Sequence, residues 1–190
     1  DSVHIKEIRK LIKDWGIGGL CFFQGGPVRE AALTNDYQAL SKIPLMISMD
    51  AEWGLAMRID STVRFPRQMS IAAIRDTSLI YEMGKEIGRQ CNLMGIHVNF
   101  APDADVNNNP LNPVIGSRSF GDSPADVYTK SLLYMRGMQD QNVLATGKHF
   151  PGHGNADTDS HLGLPVITQN RASLDSVELF PFKKLIDEGI

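Results

Sequence analysis

The chain opens with an amphipathic pattern, in which apolar residues recur every three or four positions between Val3 and Trp15. This spacing predicts a helix that ends at Gly16. A short apolar run bounded by glycines, IGGLCFFQGG, predicts a strand, and Pro27 then suits the first turn of a second helix. The predicted structural unit is therefore a strand followed by a helix.

The same unit recurs along the chain. Apolar runs at 44–50, 95–106 and 142–154 predict further strands. Further helices are expected from about Thr77 to Leu93, from about Pro124 to Gln141 and from about Arg171 to Glu188. Strands that alternate with helices of this length indicate parallel strands joined by helical crossovers.

An open doubly wound sheet and a closed eight-stranded barrel both fit this alternation. The strand ends favour the barrel, because barrel enzymes build their sites from many carboxyl-terminal strand ends. The glycine fingerprint GxGxxG of a dinucleotide-binding sheet does not occur in the sequence. Successive predicted strands here end in polar residues: Gln24, Asp50, Asp103 with Asp105, and Lys148 with His149.

The predicted fold class is therefore α/β, a (β/α)8 TIM barrel, and it is incomplete. Only about four strands are predicted, whereas closure needs eight strands and typically about 250 residues. We expect residues 1–190 to form part of one barrel domain, about strands 2–5 with their helices. The missing barrel strands, one before Asp1 and several after Ile190, would come from the rest of the parent chain.

Charge and composition exclude some partners. The formal net charge is −3, and acidic and basic residues are mixed along the chain, which argues against nucleic acid as a partner. No apolar run approaches the roughly 20 residues of a membrane span, and the first residues are unlike a signal peptide. Cys21 and Cys91 lie in apolar or helical stretches, so both are expected to be buried thiols.

The densest polar segment is GKHFPGHGNADTDSHLGLP at 147–165. Its histidines with an aspartate are of the type that binds zinc. However, there is no HExxH, and proline and glycine between His149 and His153 make helical ligand geometry unfavourable. We therefore expect no metal and no cofactor. For His153 and Asp157 a structural role in turns and a functional role both stay open.

Proton transfer is the interpretation we favour for Asp159 and His161. A carboxylate bonded to one ring nitrogen fixes the tautomer and raises the basicity of the other nitrogen. The imidazole can then serve first as an acid and then as a base near neutral pH.

The segment KHFPGHG followed closely by DSH resembles the signature of the β-N-acetylglucosaminidases of glycoside hydrolase family 3. The order and spacing of other segments match along nearly the whole chain. The resemblance implies a (β/α)8 barrel, in agreement with the strand pattern. The β-glucosidases of the same family share the KH element but not the DSH loop.

The resemblance also implies roles for individual residues. Asp159 and His161 match the acid/base dyad, which is carried on a mobile loop. The residues that match sugar-binding positions are Lys148 and His149 of KH, Asp50 and Arg58 of D-x7-R, and Arg118 of GSRSFG. Asp103 and Asp105 are expected to brace the barrel mouth. Glu52 and Trp53 stand where the family pattern leads us to expect a glycine-rich turn.

The family mechanism is retaining, with an Asp nucleophile in an SD motif at the end of a later strand. No such motif follows the DSH loop, and Asp175 in LDSVE lies in a helical pattern. We therefore expect the nucleophile beyond residue 190 and the isolated chain to be inactive.

The implied carbohydrate substrate is terminal β-linked N-acetylglucosamine, in peptidoglycan fragments or chito-oligosaccharides. Relatives are cytoplasmic or exported to the cell envelope in bacteria, and the sequence does not separate these locations. Four alternatives stay open: a family 3 β-glucosidase, a phosphorylase, a non-catalytic sugar-binding barrel and a metal-dependent hydrolase. A neutral imidazole would repel an incoming phosphate less than a carboxylate would, which is why transfer to phosphate is among them.

Overall fold

A computed structural model describes residues 2–159 and 161–190. Its centre is a parallel sheet of strands β1 (Gly19–Phe22), β2 (Met46–Met49), β3 (Val98–Asn99) and β4 (Leu144–Ala145) in sequential order. Parallel neighbours in this order, joined by helical crossovers, are the arrangement of a barrel. The predicted α/β fold is confirmed as a partial (β/α)8 barrel.

Most of the helices occur where the apolar pattern predicted them, and the exception is a short helix at Gln68–Ala72, where none was predicted. The first helix, α1 (Ser2–Lys10), is followed by a π-helical turn at Leu11–Trp15, and Gly16 ends this segment in the left-handed region with φ of 60°. Short 3-10 turns occur at Leu55–Met57 and Gly116–Arg118. The helices are α1 (Ser2–Lys10), α2 (Pro27–Leu40), α3 (Gln68–Ala72), α4 (Ser78–Leu93), α5 (Pro124–Gln139), α6 (Arg171–Ser176) and α7 (Leu179–Asp187).

The single helix expected from Arg171 to Glu188 is wrong in one respect. The structure divides it into α6 and α7, and Val177 between them leaves helical geometry with φ of −118° and ψ of −75°. Pro181 explains the break, because proline has no N–H to donate and its ring clashes with the carbonyl four residues earlier.

The core lies against one face of the sheet. Ile47 and Met49 of β2 are fully buried in the hydrophobic cluster, whereas Met46 and Leu144 are 47% and 55% exposed. Alternate residues of a strand point to opposite faces, so one face is packed and the other is open in this stretch of the barrel. Across residues 2–159 and 161–190, no helix combines the length and apolar character needed to cross a membrane.

The two cysteines differ from each other in burial. Cys91 of α4 is fully buried, as expected, and burial raises the pKa of its thiol to about 12. Cys21 is exposed, which corrects the expectation that both thiols are buried. The reason is the face on which it lies: Cys21 pairs with Ser48 on the open side of the sheet, whereas Leu20 and Phe22 of the same strand pack against the core.

Candidate active site

The carboxyl ends of β2, β3 and β4 meet at one edge of the sheet. Asp50 follows β2, Asp103 follows β3 and Lys148 follows β4, and Asp103 and Lys148 form a parallel β-bridge. Because the strands are parallel and in register, these residues lie close together, and Asp50 and Lys148 face one common space while Asp103 is fully buried. That space is a cavity of about 620 Å³, within the usual size range of small-molecule sites.

Asp50 is held between two cations on the cavity wall. Lys148 Nζ donates to Asp50 Oδ1 at 2.7 Å, and Arg58 Nη2 donates to Oδ2 at 2.8 Å. Burial alone would raise the pKa of Asp50, but its bonds to Lys148 and Arg58 outweigh burial and hold that pKa below its usual range. Asp50 is therefore an anion with both oxygens ordered.

Glu52 is the functional-site residue that the sequence analysis missed. It is fully buried, and Arg118 donates to its two oxygens at 2.7 and 3.0 Å while Lys148 Nζ lies 2.6 Å from Oε1. Burial would raise the pKa of Glu52, yet Arg118 and Lys148 lower it below its usual range. Glu52 thus fixes two cations at the floor of the cavity. The signal available was a lone acidic residue two positions after Asp50.

The contacts of His149 determine its tautomer. Arg118 Nη2, which can only donate, lies 3.1 Å from His149 Nε2, so Nε2 is the acceptor. The ring proton is then on Nδ1, which donates to Asp105 Oδ2 at 2.6 Å. Asp105 therefore orients the imidazole and leaves its Nε2 lone pair directed at Arg118 and the cavity.

Asp103 and Asp105 form a buried pair behind His149. Asp105 also accepts the backbone N–H groups of His149 at 3.1 Å and His153 at 2.6 Å. Burial would raise the pKa of Asp105, but its bond to His149 lowers it. Burial raises the pKa of Asp103 well above its usual range, and the neighbouring charge of Asp105 raises it further. The sequence predicted both as braces, and the structure places them directly behind the imidazole.

The loop after His149 is fastened by Asn112, which is buried. Its side-chain amide donates to the carbonyls of His153, Gly154 and Ala156 at 2.7, 3.1 and 2.9 Å. Its Oδ1 accepts from two backbone N–H groups in its own loop. One side chain therefore joins the loop after β3 to the loop after β4.

Asp159 and His161 are paired at the mouth of the cavity. Nδ1 of His161 lies 2.7 Å from Asp159 Oδ1, which also accepts the backbone N–H of His161 at 2.8 Å. Both hydrogen bonds lower the pKa of Asp159, and the bond from the backbone N–H has the larger effect. The side chain of His161 is 79% exposed and still lines the cavity.

Most of the predicted site residues therefore share one cavity, whose lining includes Asp50, Arg58, Arg118, Lys148, His149 and His161. Asp159 joins them through His161. Gln24 does not, because it lines a separate cavity of about 440 Å³ beside α1 and α2. The imidazole of His153 is buried with its ring centroid 6.1 Å from that of His149, and neither ring nitrogen bonds to a described residue.

Asp103, Asp105 and His149 are also of metal-ligating type, with candidate atoms within 4.8 Å of one another. Protein cations already occupy this environment: Arg118 Nε lies 3.7 Å from Asp103 Oδ2. In addition, His149 Nδ1 carries the proton that it donates to Asp105. The chemistry of these groups therefore fits a hydrogen-bonded network better than a metal centre.

Comparison with known proteins identifies the family. Residues 2–190 match the N-terminal domain of glycosyl hydrolase family 3. The chain belongs to this family. It is similar to β-hexosaminidase A of Pseudoalteromonas piscicida, with 37% identity over 95% of this chain and 32% of that protein.

Two solved structures of the family extend this likeness. One is a family 3 β-N-acetylglucosaminidase from Paenibacillus, with a TM-score of 0.90, 39% identity, and coverage of 97% of this chain and 36% of that one. The other is the β-glucoside phosphorylase BglX, with a TM-score of 0.87, 27% identity, and coverage of 90% of this chain and 32% of that one. The chain thus spans about a third of each of these relatives.

Proposed function

We propose that the parent protein is a retaining glycoside hydrolase that removes terminal β-linked N-acetylglucosamine, and that residues 1–190 are part of its barrel domain. The observation that carries the proposal is the Asp159–His161 pair beside a cavity lined by ordered carboxylates and cations. The names of the relatives, β-hexosaminidase and β-N-acetylglucosaminidase, support the same activity.

The cavity has the groups that a neutral polyol requires. Asp50 can accept hydrogen bonds from two adjacent hydroxyl groups, while Lys148 and Arg118 can donate hydrogen bonds to sugar oxygens. Trp53, Phe100 and Val114 add apolar wall to the same cavity. Sugars present both hydroxyl groups and apolar C–H surface, so this combination favours a carbohydrate over an anion or an apolar ligand.

The proposed proton transfer follows from the contacts of His161. Asp159 accepts a hydrogen bond from Nδ1–H of His161, which leaves Nε2 to carry the mobile proton. The imidazolium donates that proton to the glycosidic oxygen while the carboxylate nucleophile attacks the anomeric carbon, so the bond to the leaving group breaks as the glycosyl-enzyme ester forms. The neutral imidazole then takes a proton from the water that attacks the glycosyl-enzyme ester.

We further propose that the nucleophile belongs to a segment of the parent protein beyond residue 190. Asp175 is a poor candidate because it lies in α6, where Arg171 and Lys183 donate to its carboxylate at 2.7 and 2.6 Å. Relatives of the family are longer than this chain. These 190 residues alone are expected not to turn over a chromogenic N-acetylglucosaminide, and full activity of the isolated chain would contradict this placement of the nucleophile.

The dyad is tested in the parent protein with His161→Ala and Asp159→Ala. Each variant should lower kcat/KM on a chromogenic β-N-acetylglucosaminide by about 100-fold or more, the usual range for a lost general acid/base. His4→Ala is the matched control, because His4 lies on the exposed side of α1. Unchanged turnover by both dyad variants would exclude His161 as the acid/base.

Transfer to phosphate is a second candidate, supported by the imidazole in the acid/base position and by the likeness to the β-glucoside phosphorylase. A neutral imidazole repels an incoming phosphate less than a carboxylate would. The two reactions separate by product: a hydrolase releases free sugar at a rate that phosphate does not change. A phosphorylase forms sugar 1-phosphate in proportion to the phosphate added. Sugar binding without either product would indicate a non-catalytic barrel.

A further inference from the structure

The ionisable groups at the cavity floor do not balance if all are charged. Three cations, Arg58, Lys148 and Arg118, face four carboxyl groups, which belong to Asp50, Glu52, Asp103 and Asp105. An excess buried anion is costly, and proteins usually relieve it by binding a proton. One additional proton would make this set neutral.

His149 does not carry that proton. Its Nε2 accepts from Arg118 and its Nδ1 donates to Asp105, so the ring is the neutral tautomer. A second ring proton, on Nε2, would face the guanidinium of Arg118, which has only donors and could not accept it. The additional proton is therefore on a carboxyl group.

Three of the four carboxyl groups have donors at both oxygens. Asp50 accepts from Lys148 and Arg58, and both oxygens of Glu52 accept from Arg118. Asp105 accepts at Oδ2 from His149 and at Oδ1 from the backbone N–H of His153. A proton on any of these oxygens would displace an existing hydrogen bond.

Asp103 is different. It is fully buried, its Oδ1 accepts the backbone N–H of Asp105 at 3.0 Å, and its Oδ2 has no hydrogen-bond partner among the described residues. Arg118 Nε and His149 Nδ1 approach Oδ2 only to 3.7 and 3.8 Å. Oδ2 of Asp103 is thus the one carboxyl oxygen in the set that is free to carry a proton.

We propose that Asp103 is a neutral carboxylic acid at neutral pH, protonated on Oδ2, and that it acts as a positioning residue for His149. The proton on Oδ2 removes the charge repulsion between Asp103 and the neighbouring carboxylate of Asp105, so that Asp105 can stay ionised. Asp105 as the anion then holds the Nδ1–H tautomer of His149. If Asp103 were ionised, the two adjacent carboxylates would compete for the same protons.

The charged groups around Asp103 act in both directions, and burial decides the balance. Asp105 and Glu52 favour the protonated acid, and Arg118 opposes it, with burial the largest effect in its favour. Glu178, which interacts electrostatically with Asp105, has its own pKa raised, chiefly by burial. The position of the proton follows from this chain alone, whereas its effect on turnover rests on the proposed function.

The position of the proton is tested without any substrate. An infrared spectrum of the parent protein at pH 7–8 should contain a C=O band of a protonated carboxyl group that shifts in D2O. The difference spectrum between wild type and Asp103→Asn should assign this band to Asp103, because other buried carboxyl groups such as Glu30 and Glu178 cancel. Absence of the band from the difference spectrum, with both proteins folded, would overturn the proposal.

The role of the proton is tested by kinetics. Asn reproduces the neutral acid in shape and charge, and its oxygen can accept from the Asp105 N–H, so Asp103→Asn should retain far more kcat/KM at neutral pH than Asp105→Asn. Asp105→Asn should lower it by about 100-fold, because the amide does not hold the His149 tautomer. A loss in Asp103→Asn as large as that in Asp105→Asn would mean that Asp103 acts as an anion. If the parent protein has no glycosidase activity at all, the proposed function fails and the infrared result still stands.

Discussion

Glu52 Oε1 lies 2.6 Å from Lys148 Nζ and accepts a second bond from Arg118 at 2.7 Å. A single buried oxygen therefore sets the spacing between the two cations that are expected to donate to the sugar. Removing one partner of such a buried network leaves charges without compensation, at a cost of several kcal/mol.

Glu52→Gln should therefore impair sugar binding far more than the loss of an exposed ion pair would. The amide keeps the shape but lacks the charge, and its NH2 group would oppose the donors of Lys148 or Arg118. We expect kcat/KM of the parent protein to fall by about 100-fold, measured on a chromogenic β-N-acetylglucosaminide. The control is Glu86→Gln, which removes an exposed ion pair with Arg89 on α4 and should leave kinetics unchanged. Equal effects of the two substitutions would contradict this role of Glu52.

Asn112→Ala should loosen the loop that carries the proposed dyad. It removes donors to three backbone carbonyls and the acceptor of two backbone N–H groups, all in a buried position. Buried backbone groups that lose their partners typically cost about 1–3 kcal/mol each, although the loop can rehydrate in part. We expect a loss of about 2–4 kcal/mol in the free energy of unfolding, measured with urea.

The matched control for this substitution is Asn92→Ala. Asn92 donates one exposed bond, to the carbonyl of Gln141 at 3.2 Å, so its loss should be small. Proteolysis of the native protein provides a second measurement. Faster cleavage between 150 and 165 in Asn112→Ala than in Asn92→Ala is expected, and equal cleavage rates would show that Asn112 does not fasten the loop.

The sequence predicts the strand ends well because the physical rule is local. A polar residue directly after an apolar run, such as Asp50 or Lys148, must lie at the rim of the sheet where the strand leaves the core. The helices are equally local, and the one break that was not predicted has a local cause in Pro181.

The electrostatic network is not local, and it could not be predicted in the same way. Glu52 resembles any acidic loop residue until the fold brings Lys148 and Arg118 to it from distant parts of the chain. Likewise Asp103 and Asp105 are equivalent in sequence, both at the end of one strand. Only the hydrogen-bond donors around them distinguish the two: both oxygens of Asp105 accept hydrogen bonds, whereas Asp103 Oδ2 has no partner in the described part of the chain.

Glu30 should make stability depend on pH. It lies in the first turn of α2 beside the second cavity, is only 3% exposed, and neither carboxyl oxygen bonds to a described residue. Burial raises its pKa from 4.5 to about 7. Because the folded pKa lies above the unfolded one, this group stabilises the fold fully below about pH 4.5, and the stabilisation is lost as pH rises through 7.

Glu30→Gln should remove this dependence. At pH 8 the variant should be more stable than wild type by up to about 3 kcal/mol, and at pH 5 the difference should fall below about 1 kcal/mol. Urea unfolding at the two pH values measures both. Glu82→Gln, at an exposed position of α4, is the control and should change stability little at either pH. A stability difference for Glu30→Gln that is the same at pH 5 and pH 8 would contradict the buried, uncharged state of Glu30.

Gly137 allows α5 to approach α4 closely. A Cβ at Gly137 would meet the backbone carbonyl of Tyr81 and the backbone N of Lys85, and a Cβ at Gly84 would meet the carbonyl of Tyr134. Backbone atoms cannot move aside as a flexible side chain can, so the helices would have to separate. The contact area lost would include fully buried side chains such as Met135.

Gly137→Ala should therefore lower the free energy of unfolding by about 2–4 kcal/mol, even though alanine favours a helix over glycine by about 1 kcal/mol. Gly18→Ala is the matched control, because a Cβ there meets no atom within 4 Å and the backbone needs no positive φ. The same substitution should be neutral or slightly stabilising at Gly18, since alanine restricts the unfolded chain. A neutral or stabilising effect at Gly137, measured by urea unfolding, would mean that propensity outweighs packing and that the α4–α5 interface can widen without cost.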